Sequence, residues 1–187
     1  MALEEEIAEA VAAARGHAGD GEEVVGVVPA EPAGVRIYLC AFQRDGGSTW
    51  LALDRAGRPV ADRGLIRDAV SIAAMCELAE ESAGGGDIGD LRARLLELRL
   101  EEAPEGIEEA ELAAAELQET ILPPPRVAST DYLDTIGRAA AELERALGAS
   151  GGSPFAEAMK TGLAAADELA AQVERSYKLP LASDSSS

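Results

Sequence analysis

The sequence predicts an α+β protein: a small antiparallel β-meander of three to four strands near the N-terminus, packed on a central helix and followed by a mainly helical C-terminal half. Three observations carry this. Between residues 24 and 60 the apolar residues are rich in β-branched and aromatic side chains and lie in short runs broken by turn residues, whereas outside that window they recur in steps of three and four. At 187 residues, 47% hydrophobic and 27% charged, the chain has the length and composition of a globular domain. Only 3% of it is aromatic, so the core must be built from Leu, Ile, Val and Ala.

Residues 3–15 place Leu3, Ile7, Val11 and Ala14 at helical spacing, with Glu4, Glu5 and Glu6 in the first turn, where the helix dipole favours acids, and Gly16 as a stop. Val24, Val25, Val27 and Val28 form a first strand ending at Pro29. Residues 35–43 read as a second strand, Arg44-Asp45-Gly46-Gly47 as a turn, and residues 48–54 as the return strand. Pro59-Val60 begins a short edge strand. Residues 64–83 carry Leu65, Ile66, Ala69, Val70, Ile72, Ala73, Met75, Cys76, Leu78 and Ala79 around the whole circumference, which predicts a central helix buried on every side.

Asp87, with Asp90 three residues on, predicts a capping box for a helix that presents Leu91, Leu95 and Leu98. Pro104 separates it from a helix over 106–121, marked by Ile107, Ala110, Ala114, Leu117 and Ile121. Pro123-Pro124-Pro125 then sets a boundary. The expected organisation is an α+β core domain over 1–122, a helical hairpin over 123–178 and a disordered tail over 179–187. The first hairpin helix carries Tyr132, Ile136, Ala140, Leu143 and Leu147. A loop over 148–152 leads to the second, capped by Ser153-Pro154 and carrying Phe155, Met159, Leu163, Ala166, Val173 and Tyr177.

Acidic residues number 35 against 16 basic ones, for a net charge of −19. That balance argues against phosphate-driven binding of nucleic acid and against docking on anionic lipid. The two arginine groupings, Arg55 to Arg67 and Arg92 to Arg99, are interleaved with acids. No run approaches the ~18 apolar residues that span a bilayer. An acidic start where a signal peptide would be basic, and two distant cysteines in apolar segments, predict a cytoplasmic protein with reduced thiols. The single histidine, His17, leaves no His-based metal cluster and no Ser–His–Asp or Cys–His arrangement.

These residues read as a non-enzymatic module for protein–protein contact or small-ligand binding, with no cofactor. A pocket is expected between the strands, at Tyr38, Phe42 and Trp50, and the central helix, at Met75 and Cys76. The alanine-rich helical faces over 107–121 and 131–177 predict a homodimer or a protein partner. The alternative rests on Cys76-Glu77-Leu78-Ala79-Glu80-Glu81-Ser82-Ala83-Gly84, whose carboxylates at i, i+3 and i+4 sit on neighbouring faces of one helix end.

That string resembles the end of the box of Nudix hydrolases, in which Arg-Glu-Leu-x-Glu-Glu-x-Gly binds magnesium and a nucleoside-diphosphate linkage is cleaved. The resemblance implies Mg or Mn on Glu77, Glu80 and Glu81 and hydrolysis of nucleotide-type pyrophosphates. Cys76 stands where that family has Arg, Asp62 and Asp68 where it has Gly and Glu, and the glycine falls one residue late. The pairs Glu77/Glu80, Glu108/Glu111 and Asp131/Asp134, on successive helices, resemble all-helical nucleotide pyrophosphatases in spacing alone, a spacing common in a chain with 35 acids.

Overall fold

The computed structural model describes residues 1–148 and 151–182. Part of the expected hairpin loop (149–150) and most of the expected tail (183–187) lie outside the described residues. The elements are α1 (Leu3–Gly16), β1 (Glu23–Glu31), β2 (Ile37–Arg44), β3 (Gly47–Asp54), α2 (Arg63–Gly85), α3 (Asp87–Glu102), α4 (Ile107–Ile121), β4 (Ala128–Ser129), α5 (Thr130–Leu147) and α6 (Pro154–Arg175). This is the expected α+β architecture, a four-stranded sheet near the N-terminus followed by helices.

The chain forms two compact units that do not follow its linear order. One comprises Met1–Ala73, Arg126–Thr130 and the chain from Ala165 on; the other comprises Ala74–Pro125 and Asp131–Ala164. Helices α2 and α6 each give one half to each unit.

In the first unit the strand order is β3-β2-β1-β4. β1, β2 and β3 are antiparallel neighbours, as the meander predicts. The β2–β3 turn places Asp45 and Gly46 at φ 47° and 81°, the two-residue geometry whose twist suits a hairpin. It fixes the register Arg44↔Gly47, hence Phe42↔Thr49 and Ala41↔Trp50. β1 runs on through Pro29 to Glu31, and a bulge between Val24 and Gly26 lets Val24 and Val27 pack on the same core despite their odd spacing. The fourth strand is not the one expected. β4 pairs parallel to β1 at Ala30↔Ala128 and Glu31↔Ser129, whereas Pro59 makes only a single bridge to Leu53.

Strand alternation divides the core. Tyr38, Cys40, Phe42, Leu51 and Leu53 pack under α1 on Ala10 and Ala14. Ile37, Leu39, Ala52 and Ala30 pack with Ile66, Ala69 and Val70 of α2 and with Ala170 and Val173 of α6. After α6 the chain returns along β3: the Trp50 N–H donates to the Ser176 carbonyl (3.0 Å) and the Lys178 N–H to the Trp50 carbonyl (2.9 Å). The Tyr177 hydroxyl receives the Ala52 N–H and donates to the Val60 carbonyl. The outer edge of β3 is thus occupied by backbone from the far end of the sequence.

In the second unit, the end of α2, α3, α4, α5 and the start of α6 enclose one core. It is built from Ile88, Leu91, Leu95, Ile107, Leu117, Ile121, Ile136, Leu143, Leu147 and Phe155, with alanines at the close approaches. Ser153 caps α6, its Oγ accepting the Ala156 N–H at 3.2 Å. Two local expectations change. α3 begins one residue early, with Gly86 at the cap and no side-chain bond, so Asp87 and Asp90 serve the helix dipole rather than a capping box. α2 is not buried all round: Arg67, Asp68, Glu77 and Glu81 are exposed along it.

Candidate functional site

The expected pocket residues belong to different units. Tyr38 and Phe42 face α1, while Trp50, set opposite Ala41 by the hairpin register, packs on the α2 side of the sheet. Met75 and Cys76 belong to the second unit, where both are buried. Burial pushes the Cys40 thiol up to about 12, so it stays protonated.

Tyr38 does border a cleft, on the other face of the sheet from the one expected. Met1, Glu6, Glu9, Ala10, Ala13, Tyr38 and residues Asp54 to Gly57 line a space of about 390 Å³ beside α1. Two of its polar groups, Tyr38 and Glu6, are already engaged with each other, and Glu6 with Arg36. The Tyr38 hydroxyl donates to Glu6, which also receives Arg36 Nη1 at 3.2 Å, and Arg36 reaches Glu31 through Nε and Nη2 at 3.2 and 2.9 Å. The phenol bond, helped by Arg36, holds the Glu6 carboxyl below the ordinary range; burial, then the bond to Glu6, pushes Tyr38 up to about 12. The network clamps α1 to the sheet.

A second clamp holds the C-terminal return. Lys178 Nζ donates to Glu22 and to the His17 carbonyl (2.9 Å) and lies 4.1 Å from the Phe42 ring centroid. Glu22 also receives the Gly19 N–H at 2.7 Å and the Thr49 hydroxyl at 3.0 Å. Lys178, then the Gly19 amide, brings its carboxyl down to about 2.

At the other candidate, Glu77 and Glu81 are exposed on α2 and Glu80 is half-buried. Burial, and then the neighbouring Glu77 charge, raises the Glu80 carboxyl. Among the described residues no group of three His, Cys, Asp or Glu is placed to hold a metal ion, so the convergence that the Nudix resemblance implies is not formed.

Of the helical faces expected to seek a partner, those of α4 and α5 are covered, while Leu163 on α6 is 52% exposed. Ile107, Ala110, Ala114, Leu117 and Ile121 of α4, and Ile136, Ala140, Leu143 and Leu147 of α5, are buried in the core of their own unit. Apolar surface is also open on α3. While Ile88, Leu91 and Leu95 face that core, Leu96 and Leu100 on the outer side are 56% and 77% exposed, with Ala93 and Ala103 exposed beside them. Leu112 on α4 is 66% exposed. Arg99 Nη1 meets Glu111 Oε2 at 2.6 Å and Arg92 donates to Gln118, joining α3 to α4 beside a groove of about 490 Å³ lined by Arg92, Ala93, Leu95, Leu96 and Glu111. The sequence signal was present: 91, 95 and 98 satisfy one helical stripe, so the leucines at 96 and 100 belong to a second.

No family model, curated protein or solved structure matched the chain.

Proposed function

We propose that this protein works by binding another polypeptide through the outer face of α3. One observation carries the reading: Leu96 and Leu100 stand in solvent one helical turn apart, on a helix whose Leu91 and Leu95 are buried and whose Leu98 is half-buried. Single exposed leucines are ordinary; a row of them flanked by alanines is a surface waiting for cover, and burying each leucine is worth roughly 1.5–3 kcal/mol. The Tyr38 cleft supports a ligand site less well, because Tyr38 and Glu6 in its wall are already bonded to each other and Glu6 to Arg36.

The test is a photo-crosslinking residue at position 100 of the full chain, expressed in cells. The expected result is an adduct that disappears with Leu96→Glu and does not form from the same probe at Glu109, an exposed position on α4. No adduct above that control refutes the reading.

A further inference from the structure

The open stripe of α3 has the spacing of a coiled-coil seam. Gly89, Ala93, Leu96 and Leu100, with Ala103 just past the end of the helix, are all exposed and follow one another in steps of four, three, four and three. The residues bordering this seam are sorted by sign. Asp90 and Glu97 lie along one flank, Arg92 and Arg99 along the other, and all four are exposed. Arg92 and Arg99 also reach α4, but a guanidinium has five N–H groups and can serve an acceptor on each side.

We infer that the polypeptide covering this face is a second copy of the chain, with its α3 parallel to the first, in register, about a two-fold axis. The inference rests on the reading of α3 as a docking face. In a parallel pair, a residue on one flank meets the partner's residue five positions further along on the opposite flank. Arg92 therefore meets Glu97 of the second copy, and symmetry makes the pair twice. An antiparallel pair sets Arg92 against Arg99 and Asp90 against Glu97, like against like. Charge selects the orientation while the leucines supply the attraction.

A basic partner would be drawn by the net charge of −19, but it would meet Arg92 and Arg99 along one whole flank. Two copies repel at long range, and at about 0.15 M salt, where the Debye length is roughly 8 Å, that repulsion is screened while contacts inside the seam persist. Two leucines and two alanines per copy make a small interface, so the dimer is weak and concentration-dependent.

Sedimentation equilibrium of the full chain, up to about 1 mM at that salt, tests this. The wild type is expected to move from one chain mass towards two, and Leu100→Glu, an exposed substitution, to stay at one. Arg92→Glu and Glu97→Arg should each weaken self-association roughly tenfold, since each replaces attraction with repulsion in two symmetric pairs. An equimolar mixture of those two variants should recover it, because every cross-pair is then opposite in sign. A wild type that stays monomeric, a dimer indifferent to Leu100→Glu, a strengthened Arg92→Glu chain or a mixture that fails to recover each overturns the inference. The crosslinking experiment separates the two failures. An adduct whose mass is not that of two chains removes the second copy but leaves α3 as a docking face; no adduct removes both.

Discussion

Replacing Lys178 with methionine keeps most of the side chain's length and removes its charge from the clamp on Glu22 and Phe42. The lost interactions are a charge-assisted bond to a carboxylate, worth about 1.5–3 kcal/mol, a bond to the His17 carbonyl, and a cation–π contact of roughly 0.5–1 kcal/mol. Glu22 keeps the Gly19 amide and the Thr49 hydroxyl, so its charge is not stranded, and the net cost at neutral pH comes to about 2–3 kcal/mol.

The pH dependence follows from Glu22. Its carboxyl is depressed in the folded state, to about 2 from the ordinary 4.5. A depressed acid contributes stability above its unfolded value, and that contribution fades as pH falls from about 4.5 towards 2. The full shift bounds the contribution at roughly 3 kcal/mol, and solvent at this part-buried site reduces it to about 1–2 kcal/mol. The Lys178→Met penalty should therefore shrink by about half between pH 7 and pH 3. Urea unfolding followed by fluorescence of Trp50, the only tryptophan, measures it at the right place, because the Trp50 backbone is bonded to Ser176 and Lys178. Acid effects common to both chains cancel in the difference. A penalty below about 0.5 kcal/mol, or one of equal size at both pH values, would refute the account of the clamp.

Tyr38→Phe removes the hydroxyl bond that holds Glu6 down. It should cost about 1 kcal/mol, and in an NMR titration the Glu6 carboxyl should move up towards 4.5, with Arg36 retaining part of the depression. An unmoved Glu6 would show that the phenol is not its anchor. For Glu77, Glu80 and Glu81, millimolar Mg²⁺ or Mn²⁺, compared with NaCl of matched ionic strength, should shift the melting temperature equally in the wild type and in Glu77→Ala/Glu80→Ala. A metal-specific rise confined to the wild type, about 2.7 kcal/mol at a hundredfold excess over Kd, would instead establish a carboxylate site and favour the hydrolase reading.

The legibility of the fold depended on the range of the interaction read. α1, the β2–β3 hairpin, α4 and the Ser153-Pro154 start of α6 follow from relations within about four residues, and the chain carries them plainly: Leu3 to Ala14, the Tyr38/Cys40/Phe42 alternation, Gly106 before Ile107. The register was also within reach. The Asp45-Gly46 turn places Trp50 opposite Ala41, which separates it from Tyr38 and Phe42, but only once the turn is known to hold two residues.

What the sequence determined by itself is where the helices and the antiparallel strands lie, that the core is aliphatic, and that Leu91 and Leu95 would be inside. Tertiary structure alone decided the rest. β4 is two residues whose pairing with Ala30 and Glu31 spans nearly a hundred positions, and the return of Tyr177 along β3 spans more. Whether an apolar stripe is interior or open was decided there too: α4 and α5 found cover within their own unit and the outer leucines of α3 did not. The reason is physical. Backbone propensity and side-chain periodicity act between near neighbours and leave a repeating trace in the sequence, whereas a long-range contact depends on which surfaces the folded backbone happens to leave free, and a residue's type does not record that.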